Sequence, residues 1–491
     1  MNYKLGPYQS INQETRWATV DEIKRANTHI DLKAETYPTA GIPVISDSRN
    51  AYVDGSDSHT LIFGATGSKK TRLFCMPTLN YFIRAGESFV ATDPKGELYD
   101  RTAGMAKAYG YKVDVINLRD VGFGDMWNPL ALPYHMYHNG EREEAISMLN
   151  DFVRTIASPQ FENTKDVFWP EMASSLALAN LLLLMEAGKQ EEVNVASLAA
   201  LCSNASSEKL KVLSENMTME TIAGLNFRNV FTSAEKTLQS IMVSLFGMIR
   251  IFTTQKNLTK MLSGNTVDLR QIGREKTAVY LIIPDEKSTY HFLVTTFIKQ
   301  AYEILIAEAQ KCQERKLPVR VNFVLDEFCN IPKVPDMPSM ISAARSRNMR
   351  YYLVVQSLHQ LKGRYGEDAD TIKGNCNNIV FLTSKELDLL GEISALCGEY
   401  YTSEGYKRKL ISVSELQRLD KAKGEALIIS GRQYPVISEI ADIDDYEMFK
   451  GYEAPELLPN PVTKTAMFDL NKFYDDVIAE RRHLPFATAG E

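Results

Sequence analysis

Gly64-Ala65-Thr66-Gly67-Ser68-Lys69-Lys70-Thr71 lies between the apolar run Leu61 to Phe63 and a helix-compatible segment that begins Arg72-Leu73. Glycines in such a loop let successive backbone N–H groups curl around phosphate oxygens, and the helix N-terminus beyond it adds a dipole that favours an anion. Gly64, Thr66, Gly67, Ser68 and Lys69 would line a nucleotide cradle, Lys70 would reach the β- and γ-phosphates, and the Thr71 hydroxyl would hold Mg2+. The pattern asks for glycine immediately before the lysine, and here Lys69 stands there. A Cβ at that place crowds the diphosphate and resists the loop geometry, whereas an extra cation favours a polyphosphate. The same residues also read as a glycine-rich strand-to-helix turn with a basic surface.

Val321 to Leu325 is an apolar run that ends in Asp326-Glu327. Such a strand end places the aspartate beside Mg2+ and the glutamate where it can orient or deprotonate an attacking water. Alone it could equally be a solvated terminus or a helix cap. Gln356 ends the next β-rich run, Tyr351 to Val355, and could sense the γ-phosphate or the lytic water, or simply bond within its loop. Arg345, Arg347 and Arg350 precede that run, and a guanidinium supplied by a neighbouring subunit could neutralise transition-state charge. Most arginines in such a cluster are surface charges.

These residues need a sheet to position them. Short β-rich runs at His59 to Phe63, Ser88 to Thr92 and Lys112 to Leu118 are followed by turns or helix-compatible segments, the rhythm of βαβ units and a largely parallel sheet. That rhythm returns at Ala278 to Ile283, Val321 to Leu325, Tyr351 to Val355, Ile379 to Thr383 and Ala426 to Ser430. Between them the period is helical, with Ile146, Leu149, Phe152, Val153 and Ile156 on one face and Pro170 early in the next helix. The expected division is an irregular N-terminal extension at 1–55 with a short helix near Val20 to Ala26, and a discontinuous α/β motor domain at 56–135 and 266–440. An inserted all-α domain occupies 136–265, and an acidic tail 441–491.

Composition excludes several classes. Over 491 residues, 44% apolar and 24% charged content is that of a soluble globular protein, and a net charge of −7 excludes a strongly basic nucleic-acid coat. Residues 439–491 carry that imbalance, with 12 acidic against 5 basic side chains, which reads as a solvated surface or a docking tail for a basic partner. The six cysteines are scattered, as in a reduced cytoplasm. Met1 to Gly6 has no apolar signal, and Leu176 to Met185 is too short to cross a bilayer. His135 and His138, in what reads as a loop from Tyr134 to Gly140, lack a ligand set. No Ser/His/Asp arrangement can be nominated, and the tyrosines and phenylalanines do not interleave with a basic run in a way that marks a stacking surface.

With these residues in place, the chain resembles the conjugative coupling proteins of type IV secretion systems (TraG/TraD-like), DNA-pump-like P-loop ATPases of the RecA type. The resemblance covers about residues 14–440. It runs through Thr15-Arg16-Trp17-Ala18-Thr19, the glycine-rich loop, Asp93-Pro94-Lys95-Gly96-Glu97, Trp127-Asn128-Pro129-Leu130, Phe168-Trp169-Pro170-Glu171, Leu325-Asp326-Glu327-Phe328, Val355-Gln356-Ser357 with Gln360-Leu361, and Leu410 to Ile437. It implies an α/β RecA-like P-loop NTPase motor with a largely parallel central sheet and an inserted all-α domain, using ATP and Mg2+. Lys70 and Thr71 match the Walker A pair, Asp326 and Glu327 the Walker B pair, and Gln356 the third motif. Arg345 falls where related ATPases place a trans-acting arginine.

The implied partners are a relaxase on single-stranded DNA, or protein effectors, and the components of a secretion channel. The implied assembly is a homo-hexamer at the cytoplasmic face of the cell membrane. Many family members begin with transmembrane helices, so a chain lacking them would be recruited by a membrane-anchoring partner or have lost its anchor. Two other functions remain in view: a weakly or non-hydrolysing adaptor that recruits relaxase or effectors through the all-α domain and acidic tail, and a cytosolic DNA-packaging motor.

Overall fold

The computed structural model describes residues 3–4, 15–162, 165–216, 221–461 and 464–483. Met1 to Gly6 and the end of the acidic tail, 484–491, therefore fall partly or wholly outside the described residues. The chain forms two compact units, one from 1–119 and 268–457, the other from 120–267 and 458–491.

The strands, all in the first unit, are β1 (Tyr3–Lys4), β2 (Thr28–Asp31), β3 (Pro43–Ser46), β4 (Asn50–Val53), β5 (Thr60–Phe63), β6 (Ser88–Asp93), β7 (Lys112–Asn117), β8 (Thr277–Ile282), β9 (Val321–Leu325), β10 (Met349–Val355), β11 (Asn378–Phe381), β12 (Glu399–Tyr401), β13 (Lys407–Lys409), β14 (Glu425–Ser430) and β15 (Val436–Glu439). Ten of them make one sheet in the order β1-β15-β14-β11-β5-β10-β9-β6-β8-β7. From β11 to β7 every pairing is parallel, and β14, β15 and β1 add an antiparallel edge. Strands β5, β6, β8, β9 and β10 are buried at every position, because helices on both faces of a parallel sheet leave no strand side to water. That is why their sequences are continuous apolar runs.

The N-terminal segment is more ordered than its sequence suggests. The helix at Val20–Ala26 is present, closed by a Thr19–Glu22 capping box. Beyond it, β2, β4 and β3 form an antiparallel three-stranded sheet whose Ile30, Val44, Ile45, Ala51 and Val53 are buried. Strands of four residues carry too few alternations to stand out in a polar stretch.

The second unit is helical. Helix Arg142–Glu162 buries Leu149, Phe152, Val153 and Ile156, with Ile146 at the margin of that face. Tyr134 to Gly140 is not a loop: most of it belongs to helix Ala131–His138, where the His138 ring bonds the Met185 carbonyl oxygen at 2.9 Å and packs on Tyr134. Among the described residues, helices Phe168–Ala187 and Glu235–Thr254 are long and apolar enough to cross a membrane. The first of these contains Leu176 to Met185, the apolar stretch that by itself is too short to cross a bilayer. The apolar window of Phe168–Ala187 is 72% buried, and Asn180 within it donates to the Leu176 carbonyl at 3.0 Å.

Candidate functional site

Strand order brings the site together. The glycine-rich loop leaves the C-terminal end of β5, Asp326-Glu327 leave the same end of β9, and β10 lies between them and is followed by Gln356. Register places Val355 against Phe63 and Leu353 against Leu325, so all three strand ends open on one edge. In open α/β sheets that edge is where ligands bind.

The loop is tightly wound. A Cβ on Gly64 would stand 2.4 Å from Ser68 Oγ and 2.9 Å from Lys70 Cγ, so only glycine fits. Gly67 and Lys69 both hold the left-handed region, at φ 74° and 68°. Lys69 therefore adopts the backbone expected of a glycine, and its ammonium lies 3.4 Å from Asp442. A π-helical turn, Thr71–Cys75, leads from the loop into helix Met76–Ala85.

The candidate side chains form one connected network. Buried Lys70 donates to the Gly64 carbonyl at 2.6 Å and stands 3.9 Å from Glu327. Thr71 Oγ1 donates to Asp326 Oδ2 at 2.8 Å, and the Glu327 N–H donates to Asp326 Oδ1 at 2.9 Å. Gln356 Nε2 donates to Glu327 Oε2 at 2.6 Å, while its amide oxygen accepts from Thr66 Oγ1 at 3.2 Å. Glu327 has φ 53°, a strained conformation of the kind that clusters at functional sites. Burial pushes the Asp326 carboxyl above its ordinary range, opposed by the hydrogen bond from Thr71. Ser68 Oγ is buried without a hydrogen-bond partner, so the cradle retains an unused polar group of the kind a phosphate oxygen would engage. Thr71 and Asp326, bonded to each other, are hard oxygen donors suited to Mg2+.

Arg345 lies elsewhere. It is exposed in the turn before β10, at the opposite end of that strand from Gln356, so within one chain it does not enter the network. Arg350 is fully buried and paired with Glu87, which makes it structural.

Four neighbours of the site were not among the candidate site residues. Asp93 ends β6, accepts the Tyr99 N–H at 2.8 Å, and is pushed up to about 6 by burial, with Asp326 adding to the shift. Thr92 donates to the Asp326 carbonyl at 2.8 Å. Asp442 and Asp444 of the acidic segment pair with Arg72, and Asp444 also with Arg101 at 3.3 Å. The sequence signals for Asp93 were its place after a β-rich run and its segment Asp93-Pro94-Lys95-Gly96-Glu97 in the family resemblance, and for Asp442 the excess of acids after residue 438.

A parallel sheet with a glycine-rich loop on one strand and an Asp-Glu pair two strands away defines a P-loop NTPase. The chain belongs to the type IV secretory system conjugative DNA transfer family, which it matches over residues 16–419. It is 23% identical to the conjugal transfer protein TraG of Escherichia coli over 431 residues, covering 81% of this chain and 66% of that protein. It is 23% identical to VirD4 of Rhizobium radiobacter over 434 residues, covering 84% of this chain and 58% of that protein. The chain thus spans about two thirds or less of these two relatives. Its fold is that of the plasmid coupling protein TrwB. In complex with a non-hydrolysable ATP analogue, TrwB aligns with a TM-score of 0.64 and 14% identity, covering 95% of this chain and 99% of that one. In complex with ADP and Mg2+, the TM-score is 0.62 at 14% identity, covering 96% and 100%.

Proposed function

We propose that this protein is a coupling ATPase that brings relaxase-bound single-stranded DNA, or protein substrates, to a type IV secretion channel and drives transfer by ATP hydrolysis. The observation that carries the reading is the connected network Thr66–Gln356–Glu327 with Lys70 and Thr71–Asp326 at one sheet edge.

In this mechanism the loop N–H groups and Ser68 bind the phosphates, and Lys70 neutralises charge developing on the transferred phosphoryl group. Thr71 and Asp326 would hold Mg2+, which would supply charge neutralisation. Glu327 takes the proton of the attacking water at a carboxylate oxygen, and Gln356, bonded to both Glu327 and Thr66, orients that carboxylate. Arg345 acts from a neighbouring subunit of a hexamer. The assembly works at the cytoplasmic face of the membrane, with a membrane-anchoring partner recruiting it. The division into a motor built from 56–135 and 266–440, an all-α insertion at 136–265 and an acidic tail at 441–491 belongs to the same reading.

The test is phosphate release by the full chain with and without single-stranded DNA. DNA-stimulated release supports the coupling ATPase, and its absence across oligomeric states supports the adaptor function.

A further inference from the structure

Strands β12 and β13 stand apart from the large sheet as a two-stranded ribbon. Their ladder pairs Glu399 with Lys409, Tyr400 with Arg408 and Tyr401 with Lys407. Directly paired residues share a face, and neighbours along a strand alternate. One face therefore carries Tyr401 across from Lys407 and Glu399 across from Lys409. The other carries Tyr400 across from Arg408, followed by Tyr406, whose carbonyl accepts the Thr402 N–H at 2.9 Å. Apart from Thr402, every residue from Tyr401 to Lys409 is exposed, Tyr406 at 64%.

Three tyrosines and three cations on the two faces of one ribbon build no core of their own. A ribbon of this size is marginally stable without covering layers. The combination instead matches a ligand that offers flat apolar surfaces and regularly spaced negative charge. The sequence reading did not single out this stretch, although Tyr406 directly precedes Lys407 to Lys409; the ladder adds Tyr400-Tyr401 beside them.

We propose that the β12–β13 hairpin is a contact site for single-stranded DNA, with Tyr406 stacking on a base and Arg408 meeting a phosphate, and Tyr400 beside them on the same face. Lys407 is held by Glu399 at 2.6 Å and shapes the ribbon. Stacking needs unpaired bases, so a single strand fits better than a duplex. An acidic protein would answer the cations and leave the tyrosines unused. The hairpin also lies between two chain segments that touch the phosphate loop. Thr383 accepts the Ala65 N–H at 3.1 Å, and a Cβ on Gly67 would stand 3.8 Å from the Lys421 ammonium. DNA held on the hairpin is thus linked through the chain, on both sides, to the nucleotide site.

The proposal rests on the DNA-transfer reading, and one binding experiment separates the two. The full chain is titrated into a fluorescent oligothymidylate of about 30 nucleotides, followed by anisotropy. Tyr406→Ala should weaken binding about tenfold, with Tyr406→Phe close to wild type and Tyr401→Ala, on the opposite face, also close to wild type. Arg408→Gln should lower the slope of log affinity against log salt by about 0.7. Wild-type binding that Tyr406→Ala and Arg408→Gln retain, with unchanged salt slope, overturns the hairpin and leaves the DNA-transfer reading standing. If polyglutamate displaces the oligonucleotide while Tyr406→Ala binds normally, the hairpin is a dock for an acidic protein, which also overturns the proposal. No wild-type binding to any single strand overturns both.

Discussion

The Lys69 ammonium lies 3.4 Å from the Asp442 carboxylate, joining the phosphate loop to the acidic segment after β15. Lys69 stands where the loop pattern asks for glycine, and it holds a glycine-like φ of 68°. The side chain that looked like either an obstruction or an extra phosphate ligand is an anchor to Asp442, which also holds Arg72. Two acids of the tail thus meet basic groups of their own chain.

Replacing Lys69 with glycine should therefore change little. Relief of the left-handed backbone is worth about 1 kcal/mol, and the partly exposed ion pair contributes about as much in the other direction. Nucleotide affinity, read with a fluorescent analogue, should stay within about threefold of wild type. A tenfold loss would instead place Lys69 among the phosphate contacts.

Thr71→Ala and Asp326→Asn address the metal. Each removes one oxygen donor of the bonded pair at 2.8 Å. Nucleotide affinity in Mg2+ should fall about tenfold or more, toward the value measured in EDTA, while affinity in EDTA itself stays near wild type. Retention of the full Mg2+ effect in both variants would place the ion elsewhere.

His59, at the start of the strand that carries the loop, sets an acid limit on stability. Its Nδ1 accepts the Tyr351 N–H at 3.0 Å and its Nε2 bonds the Ile341 carbonyl oxygen at 2.7 Å, so the ring is buried neutral. Burial brings its pKa down from 6.5 to about 4. Between those values the unfolded chain binds a proton that the fold refuses. Stability from this group is therefore complete above pH 6.5 and lost as pH falls toward 4, by about 3 kcal/mol in all. Urea unfolding from pH 7 to 4 should show that loss, and His59→Asn should flatten it. An equal slope in the variant would assign the effect to other groups.

Arg345 can be tested by mixing. Arg345→Ala and Lys70→Ala should each abolish turnover alone. Mixed oligomers should recover part of it, because some interfaces then pair an intact phosphate loop with an intact arginine. No recovery from a mixture shown to co-assemble would remove Arg345 from the reaction.

Much of this was legible because parallel strands buried on both faces write themselves as unbroken apolar runs. Leu61 to Phe63, Val321 to Leu325 and Tyr351 to Val355 each mark a strand, and the residues just beyond them make up the candidate site. What the runs do not encode is their spatial order. That β10 lies between β5 and β9, so that Gln356 bonds to Thr66 and Glu327 at once, depends on crossovers distant in sequence. The same holds for Asp442, whose partners Lys69 and Arg72 lie some 370 residues earlier. The β2–β4–β3 sheet escaped notice for a different reason, since four-residue strands give a weak periodic signal.

The central claim is that Glu327 takes the proton of the attacking water while Lys70 and Thr71–Asp326 hold the nucleotide. Phosphate release at saturating Mg2+ and ATP, measured on wild type and Glu327→Gln together with nucleotide binding, tests it most directly. The predicted result is turnover in wild type and a loss of about 100-fold or more in Glu327→Gln with binding intact. Equal turnover in the two proteins would contradict the account.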